Sequence, residues 1–551
     1  MLRAVLLALL LALLLAPALA AQGYVATNAT VYTVDAARPV AQAFAVEDGR
    51  FVAVGSEAEL AAAYPDWPTV DLGGRTVTPG FIDAHAHLMG LGEALLSADL
   101  VGTTSKADIV ARLVAFAADL PDGAWVTGRG WDQNDWGGDG AFPTRADLDA
   151  AFPTRPVWLG RIDGHAGWAN TAALRAAGID PDAPAPPDME GGAVLRDADG
   201  RPTGVFVDAA EGLVARAIPA PDAATTAEML TRALAETSRL GLTGVHEAGI
   251  GMAMLPVYQR FAAEGRFPIR NYAMITPGEI GPFCDAFPAG ITDERVVVRS
   301  VKVYADGALG SRGAALLADY ADDPGNHGLL FRADDAIRAT IRAAMACGLQ
   351  VNTHAIGDRA NRQVLDAYDE AIAATGGGPG RHRIEHSQIL HLDDLARFAP
   401  MGVIASVQPT HATSDMPWAG ERLGPDRLVG AYAWRRLIDS GARLALGSDF
   451  PVERPNPLLG FHAAVTRQDA SHAPAGGWYG NQVLTRAEAL RGFTLDAAYA
   501  GFMEDEVGSI EVGKRADFVV LSHDLMTVPP EAILDTRVVA TYLDGEAVWE
   551  E

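Results

Sequence analysis

Phe81-Ile82-Asp83-Ala84-His85-Ala86-His87 reads as a short apolar strand that runs out into two histidines. Residues i and i+2 of an extended strand share a face, so both imidazoles converge on one point, as a single metal ion requires of two neutral nitrogen ligands. Alone, such a pair is weak evidence. Its force comes from recurrence. Thr353-His354, Glu385-His386 and Gly447-Ser448-Asp449 each set a ligand-type residue at the C-terminal end of another strand-like segment. Candidate strands end at His85, His246, Met274, Lys302, His354, His386, Val407 and Asp449, with helix-like stretches such as 223–240, 336–347, 359–374, 392–398 and 431–440 between them. Eight strands alternating with helices imply parallel βα units closed as a (β/α)8 barrel, an α/β fold of TIM type whose functional residues gather on the C-terminal rim. An open doubly wound sheet fits less well, because no Gly-x-Gly-x-x-Gly turn follows the first strand.

The barrel is expected over residues 76–487. Before it, Phe44-Ala45-Val46-Glu47 and Arg50-Phe51-Val52-Ala53-Val54 flank Asp48-Gly49 as a tight hairpin. After it, Asp517-Phe518-Val519-Val520-Leu521 and a second hairpin around Asp544-Gly545 repeat that chemistry. Neither end is long enough for a good core alone. Residues 21–75 and 488–551, the latter opening with the last barrel helix, are therefore expected to pair into one composite β-sandwich. Residues from about 98 to 225 are too many for one crossover and include strand-like pieces at 124–127, 157–159 and 204–207. They are expected to form an inserted subdomain after the first barrel strand, over the barrel mouth.

Residues 1–20 carry one arginine, an unbroken apolar run and then Pro17-Ala18-Leu19-Ala20. This pattern predicts a Sec-type signal peptide cut after Ala20 and hence an exported, periplasmic or extracellular protein; an uncleaved anchor is the alternative. The chain of 551 residues has 43 basic and 70 acidic side chains, a net charge of −27. That surface repels phosphate backbones and anionic lipid, so no nucleic-acid partner and, after signal cleavage, no membrane partner is expected. Cys284 and Cys347 are the only cysteines, enough for one optional bridge but not for a cysteine zinc cluster. There is no Gly-x-Ser-x-Gly elbow, Walker-type loop or His-Glu-x-x-His helix.

Four histidines and an aspartate on one rim make a nitrogen and oxygen donor set suited to zinc, with manganese, iron or nickel as alternatives. Singly, each residue could be a hydrogen-bonded structural histidine or a capping aspartate. Together, His85-Ala86-His87, His354, His386 and Asp449 resemble the metal-ligand series of the amidohydrolase superfamily, which is built on a (β/α)8 barrel. Gly130-Trp131-Asp132-Gln133, Asp163-Gly164-His165, Lys302-Val303-Tyr304-Ala305-Asp306-Gly307 and His354-Ala355-Ile356-Gly357-Asp358-Arg359 are similar to motifs of its N-substituted-formamide-deformylase-like branch. The stretch from Gly508 to Asp517 resembles the entry into the second half of the superfamily's sandwich.

That resemblance implies that His85, His87 and Asp449 hold the more buried of two ions and His354 and His386 the second. It also implies that Lys302 is an N6-carboxylysine bridging them; an unmodified, cationic Lys302 would leave one metal. The implied reaction is hydrolysis of a C–N bond in an amide, N-formyl or N-acyl compound. The metal lowers the pKa of water from ~15.7 towards ~7, and Asp449 shuttles the proton to the leaving nitrogen. The same centre could instead open an ester, lactone or phosphoester, and a non-catalytic scaffold binding metal or a small ligand is the third reading. Expected partners are a small-molecule substrate and, at most, a second copy of the chain. By resemblance His165 reaches the substrate; Trp131 and Arg312 are expected to line the pocket, and Asp83 to orient an imidazole. His246, His327, His411 and His462 are expected to be structural or peripheral, with His246 and His411 near enough to strand ends to touch the pocket.

Overall fold

The computed structural model describes residues 23–137, 140–189, 191–376 and 380–551. The signal-peptide reading of residues 1–20 lies outside the described residues. Eight parallel strands follow one another in sequence order: Phe81–Ala86, Leu242–Ile250, Arg270–Ile275, Val296–Tyr304, Gln350–Ala355, Arg383–His386, Ile404–Val407 and Arg443–Leu446. Most of their residues are buried, as parallel strands covered on both faces require. The second strand continues past His246 to Ile250, and the eighth stops at Leu446, so Asp449 sits on the following loop.

Closure between the first and eighth strands is made by backbone bonds at the rim itself. Asp449 N–H donates to His85 O at 2.7 Å, and His87 N–H donates to Phe450 O at 2.8 Å. The outer helices pack apolar faces on the strands, and a disulfide between Cys284 and Cys347, with Cα atoms 6.2 Å apart, links the helix Ile280–Ala286 to the C-cap of the helix Asp334–Ala346.

The insertion is a six-stranded sheet built from strands between Ala98 and Asp208. It has its own core around Trp131, Trp168, Ile109 and Leu113. It ends before the N-cap Asp222, whose side chain accepts from Thr225 N–H and starts the first long barrel helix, Ala223–Arg239.

The two chain ends share one eight-stranded sheet in which Phe518–Leu521 pairs antiparallel with Thr69–Pro79, and Thr69–Pro79 pairs parallel with Tyr24–Tyr32. The expected sandwich is thus a single hydrogen-bonded sheet folded over on itself. Phe518 meets Phe44 and Phe51 across the fold, at ring separations of 4.9 and 6.2 Å.

This sheet is bolted to the barrel by Arg270, which opens the third strand. Its buried guanidinium takes Asp517 through two bonds of 2.7 and 2.9 Å and Asp544 at 2.6 Å. Removing one partner of such a network strands buried charge. Arg270→Met is expected to lower unfolding stability by about 3–5 kcal/mol, read as a drop in the urea midpoint. An unchanged midpoint would mean that apolar contacts alone hold the sheet.

Candidate metal centre

Each donor reaches the centre because its strand or the loop after it ends at the rim. His85, in the first strand, is fully buried, and its Nδ1 lies 2.5 Å from Glu385 Oε2. Glu385 in turn accepts from Arg383 Nη2 at 2.9 Å. Fixing one ring nitrogen this way commits the other, Nε2, to the centre. Burial, reinforced by the neighbouring Lys302, pushes the His85 imidazolium down to about 4, so the ring is neutral and able to ligate. Burial alone would raise the Glu385 carboxyl, but Arg383 and His85 hold it below the usual carboxylate range.

His87 caps the helix Leu88–Ala94 and points Nε2 at Asp449 Oδ1 from 3.0 Å, while His85 Nε2 stands 3.4 Å from the same oxygen. Oδ1 is buried, and neither approach has the geometry of a hydrogen bond. Two imidazole nitrogens and a carboxylate oxygen facing one another without hydrogen bonds are the arrangement a divalent cation would satisfy. Asp449 adopts a left-handed φ of +61°, which turns its side chain inward. Burial opposes its charge, but His85, His411 and His87 hold the carboxyl well below its ordinary value.

His354 and His386 stand beside this trio. Their rings are 4.5 Å apart, and His386 is 4.9 Å from His85. His386 Nδ1 meets Gln408 Oε1 at 2.8 Å, leaving Nε2 for the centre. Lys302 Nζ lies 3.1 Å from His85 Nε2, and burial pushes its ammonium down to about 8. His85, His87, Lys302, His354, His386, Asp449 and His165 all line one cavity of about 1020 Å³. His165 comes from the insertion; its Nδ1 is 2.6 Å from Asp208, and its ring is 5.3 Å from that of His354. Burial would depress the His165 imidazolium, but Asp208 carries it up to about 9.

Three expected roles change. Asp83 does not orient an imidazole: its carboxylate accepts from Ser448 N–H at 2.9 Å, Ser448 Oγ–H at 2.6 Å and His85 N–H at 3.1 Å. Trp131 lies inside the insertion core, with Nε1–H on Leu159 O at 2.9 Å, so packing and not the pocket claims it. Arg312 turns away to an ion pair with Asp322 at 3.0 Å.

His246 is buried against Arg383, His327 pairs with Asp319, and His462 meets His472, none of them lining the cavity. His411 is more central than expected, with Nε2 3.4 Å from Asp449 Oδ2 and Nδ1 3.1 Å from Glu453. With His386 and Asp449 it forms a second donor group beside that of His85, His87 and Asp449. The sequence reading also passed over Glu385, Arg383 and the cavity-lining Glu247, which accepts from Tyr258 and Asn271 at 2.8 Å each. No local pattern marks Arg383 or Glu385, since three of the four residues of their strand Arg383–His386 are polar and Glu385 meets His85 across 300 residues of sequence.

A (β/α)8 barrel carrying these donors on its C-terminal rim is the framework of a metal-dependent hydrolase. A model described as "Amidohydrolase family" matches residues 68–549, and one described as "Imidazolonepropionase-like composite domain, bacteria" matches residues 43–66. The chain is 36% identical over 530 residues to the putative amidohydrolase YtcJ of Bacillus subtilis, covering 95% of this chain and 98% of that one. It is 31% identical over 545 residues to the N-substituted formamide deformylase of Arthrobacter pascens, covering 95% and 97%. An uncharacterized metal-dependent hydrolase from Pyrococcus horikoshii superposes with a TM-score of 0.75 at 27% identity, over 92% of this chain and 99% of that one. The chain belongs to the amidohydrolase family.

Because Glu385 fixes the His85 ring, Glu385→Gln is expected to weaken metal affinity about 10–100-fold with the fold retained. Competition against chelators of graded affinity measures this. Unaltered affinity would show that His85 needs no such partner.

Proposed function

We propose that this protein is an exported hydrolase that cleaves the C–N bond of an amide, N-formyl or N-acyl compound at a zinc centre. His85, His87 and Asp449 would hold one ion, and His354 and His386 a second, with Lys302 as a bridging N6-carboxylysine. The observation that carries the reading is the buried Asp449 Oδ1 facing two imidazole nitrogens without a hydrogen bond, at the wall of a cavity of about 1020 Å³. When bound, the metal supplies Lewis acidity towards water and the substrate carbonyl. Asp449 then takes the water proton and delivers it to the leaving nitrogen, and its short reach to both His85 and His87 keeps it on that face. His165 meets the substrate from the insertion side. Burial of Lys302 favours the neutral amine that adds carbon dioxide.

The name of the Arthrobacter pascens relative supports a C–N bond as the target. The Cys284–Cys347 bridge supports an oxidising compartment, in line with the signal-like residues 1–20.

Metal content of the purified chain, and turnover before and after chelation on N-acyl amines, N-formyl amines, lactones and phosphoesters, test this reading. Chelation is expected to abolish turnover and added zinc to restore it. Asp449→Asn is expected to lower kcat by roughly 10²–10⁴-fold with the fold kept; near-wild-type turnover would remove Asp449 from the role. Turnover confined to lactones or phosphoesters would overturn the C–N assignment, and bound metal with no turnover on any class would favour a binding scaffold.

A further inference from the structure

Where the insertion meets the barrel, one carboxylate is tightly confined. Asp208 ends the strand Pro202–Asp208 with φ +52° and ψ −126°, a region that residues other than glycine rarely occupy. Its Oδ1 receives His165 Nδ1 at 2.6 Å, and its backbone N–H donates to His165 O at 3.1 Å. Its Oδ2 is buried and has no hydrogen-bond partner among the described residues. That oxygen sits against the loop after the fourth barrel strand, where a Cβ on either Gly307 or Gly313 would come within 2.7 Å of it.

Folding alone does not favour this arrangement, because a strained residue with a half-satisfied buried carboxylate weakens the native state. What it achieves is an aimed imidazole. With Nδ1 engaged, Nε2 is the nitrogen of His165 left to meet a ligand, and the ring lines the cavity beside His354 and Phe331.

We propose that Asp208 is a positioning residue for the reaction. It fixes a proton on Nδ1 of His165 and turns Nε2 towards the reacting carbonyl of the substrate. Gly307 and Gly313 form the seat that holds Asp208, so the insertion presents its imidazole in register with the metal rim. This rests on the hydrolytic function proposed above and assigns the insertion its part in it.

The test uses full-length, metal-loaded wild type, Asp208→Asn, His165→Ala and the double variant, each checked for metal content and thermal midpoint. On whichever panel substrate turns over fastest, Asp208→Asn is expected to lower kcat about 10–100-fold, with KM moved less and metal content unchanged. His165→Ala is expected to lose at least as much, and the double variant no more than His165→Ala, because Asp208 acts through His165. Gly307→Ala keeps the carboxylate but crowds its seat; the same loss is expected there, which keeps the test readable should Asp208→Asn fold poorly. Multiplicative losses in the double variant, metal loss in Asp208→Asn, or wild-type kcat in both Asp208→Asn and Gly307→Ala would overturn the proposal.

A substrate-free readout separates this outcome from failure of the hydrolase reading. In imidazole-¹⁵N spectra recorded above pH 9, where the ring is neutral, the His165 ring, identified by its loss in His165→Ala, is expected to carry its proton on Nδ1 in wild type and to lose that preference in Asp208→Asn. A wild-type ring protonated on Nε2 alone would overturn the proposal even in a chain that hydrolyses nothing on the panel. Turnover of lactones only would overturn the C–N reading and leave the variant cycle to be read on that substrate.

Discussion

The seam between the first and last barrel strands is the constraint on which the site depends. Asp83 on one side takes the backbone N–H and hydroxyl of Ser448 on the other, while Asp449 N–H closes onto His85 O. Gly447 lets the two strands approach: a Cβ there would lie 2.5 Å from Asp83 Oδ1 and 2.6 Å from His85 N. Burial pushes the Asp83 carboxyl up to about 7, a desolvation cost that its bonds to Ser448 and His85 N–H reduce. The same few bonds that shut the barrel bring Asp449 face to face with His85 and His87. Barrel closure and donor geometry are one event.

Beneath the donors the barrel interior is ionic where most cores are apolar. Arg383 donates to Glu385, to Ser406 Oγ at 3.0 Å and to Ala84 O, and it also meets His246 Nδ1 at 2.7 Å. Replacing such a network by packed hydrocarbon is often neutral or stabilising for a fold, so its presence is better explained by what it orients than by stability. Here it holds Glu385 as an anion against His85 Nδ1 and leaves Nε2 as a neutral donor. Around it, burial, with positively charged neighbours such as Lys302, pushes the His354 and His386 imidazoliums well below their ordinary value. The positive charge of an unmodified Lys302 beside His85 Nε2 is the repulsion that a cation at this centre would meet.

The barrel and the gathering of candidate donors at its rim were legible because both follow from local rules: the two-residue strand repeat and the convergence of strand ends on one rim. The supporting residues were harder to place, because their partners are remote in sequence. Glu385 meets His85 across a separation of 300 residues, and nothing near position 385 announces it. Asp83 shows the limit of the strand rule. It shares a face with His85, yet unpaired backbone N–H groups at the seam were the stronger claim on its carboxylate. Trp131 sits within a motif-like run, but a large apolar side chain in a small subdomain is drawn first to that subdomain's core. The fold-over of the terminal sheet was likewise hidden, since hairpin patterns do not tell one curled sheet from two facing ones.

The insertion is more than a cover. Arg129 on its strand Val126–Trp131 donates to Ile162 O at 2.7 Å and reaches across to Pro451 O, two residues beyond Asp449. Asp163 anchors the turn before His165 by accepting His165 N–H at 3.0 Å, and Arg161 fixes Asp163 in turn at 2.5 Å. Two sets of charged hydrogen bonds therefore tie the insertion, one to the loop that bears Asp449 and the other to the turn that bears His165. The metal rim supplies chemistry that any barrel of this kind can carry. The opposite wall of the cavity, with Arg129, Asp163, His165 and Glu211, belongs to the insertion alone. Rigid coupling of that wall to the rim lets two separately folded units act on one substrate at fixed distance, because a reacting group misplaced by about 1 Å can lose about 10²-fold in rate.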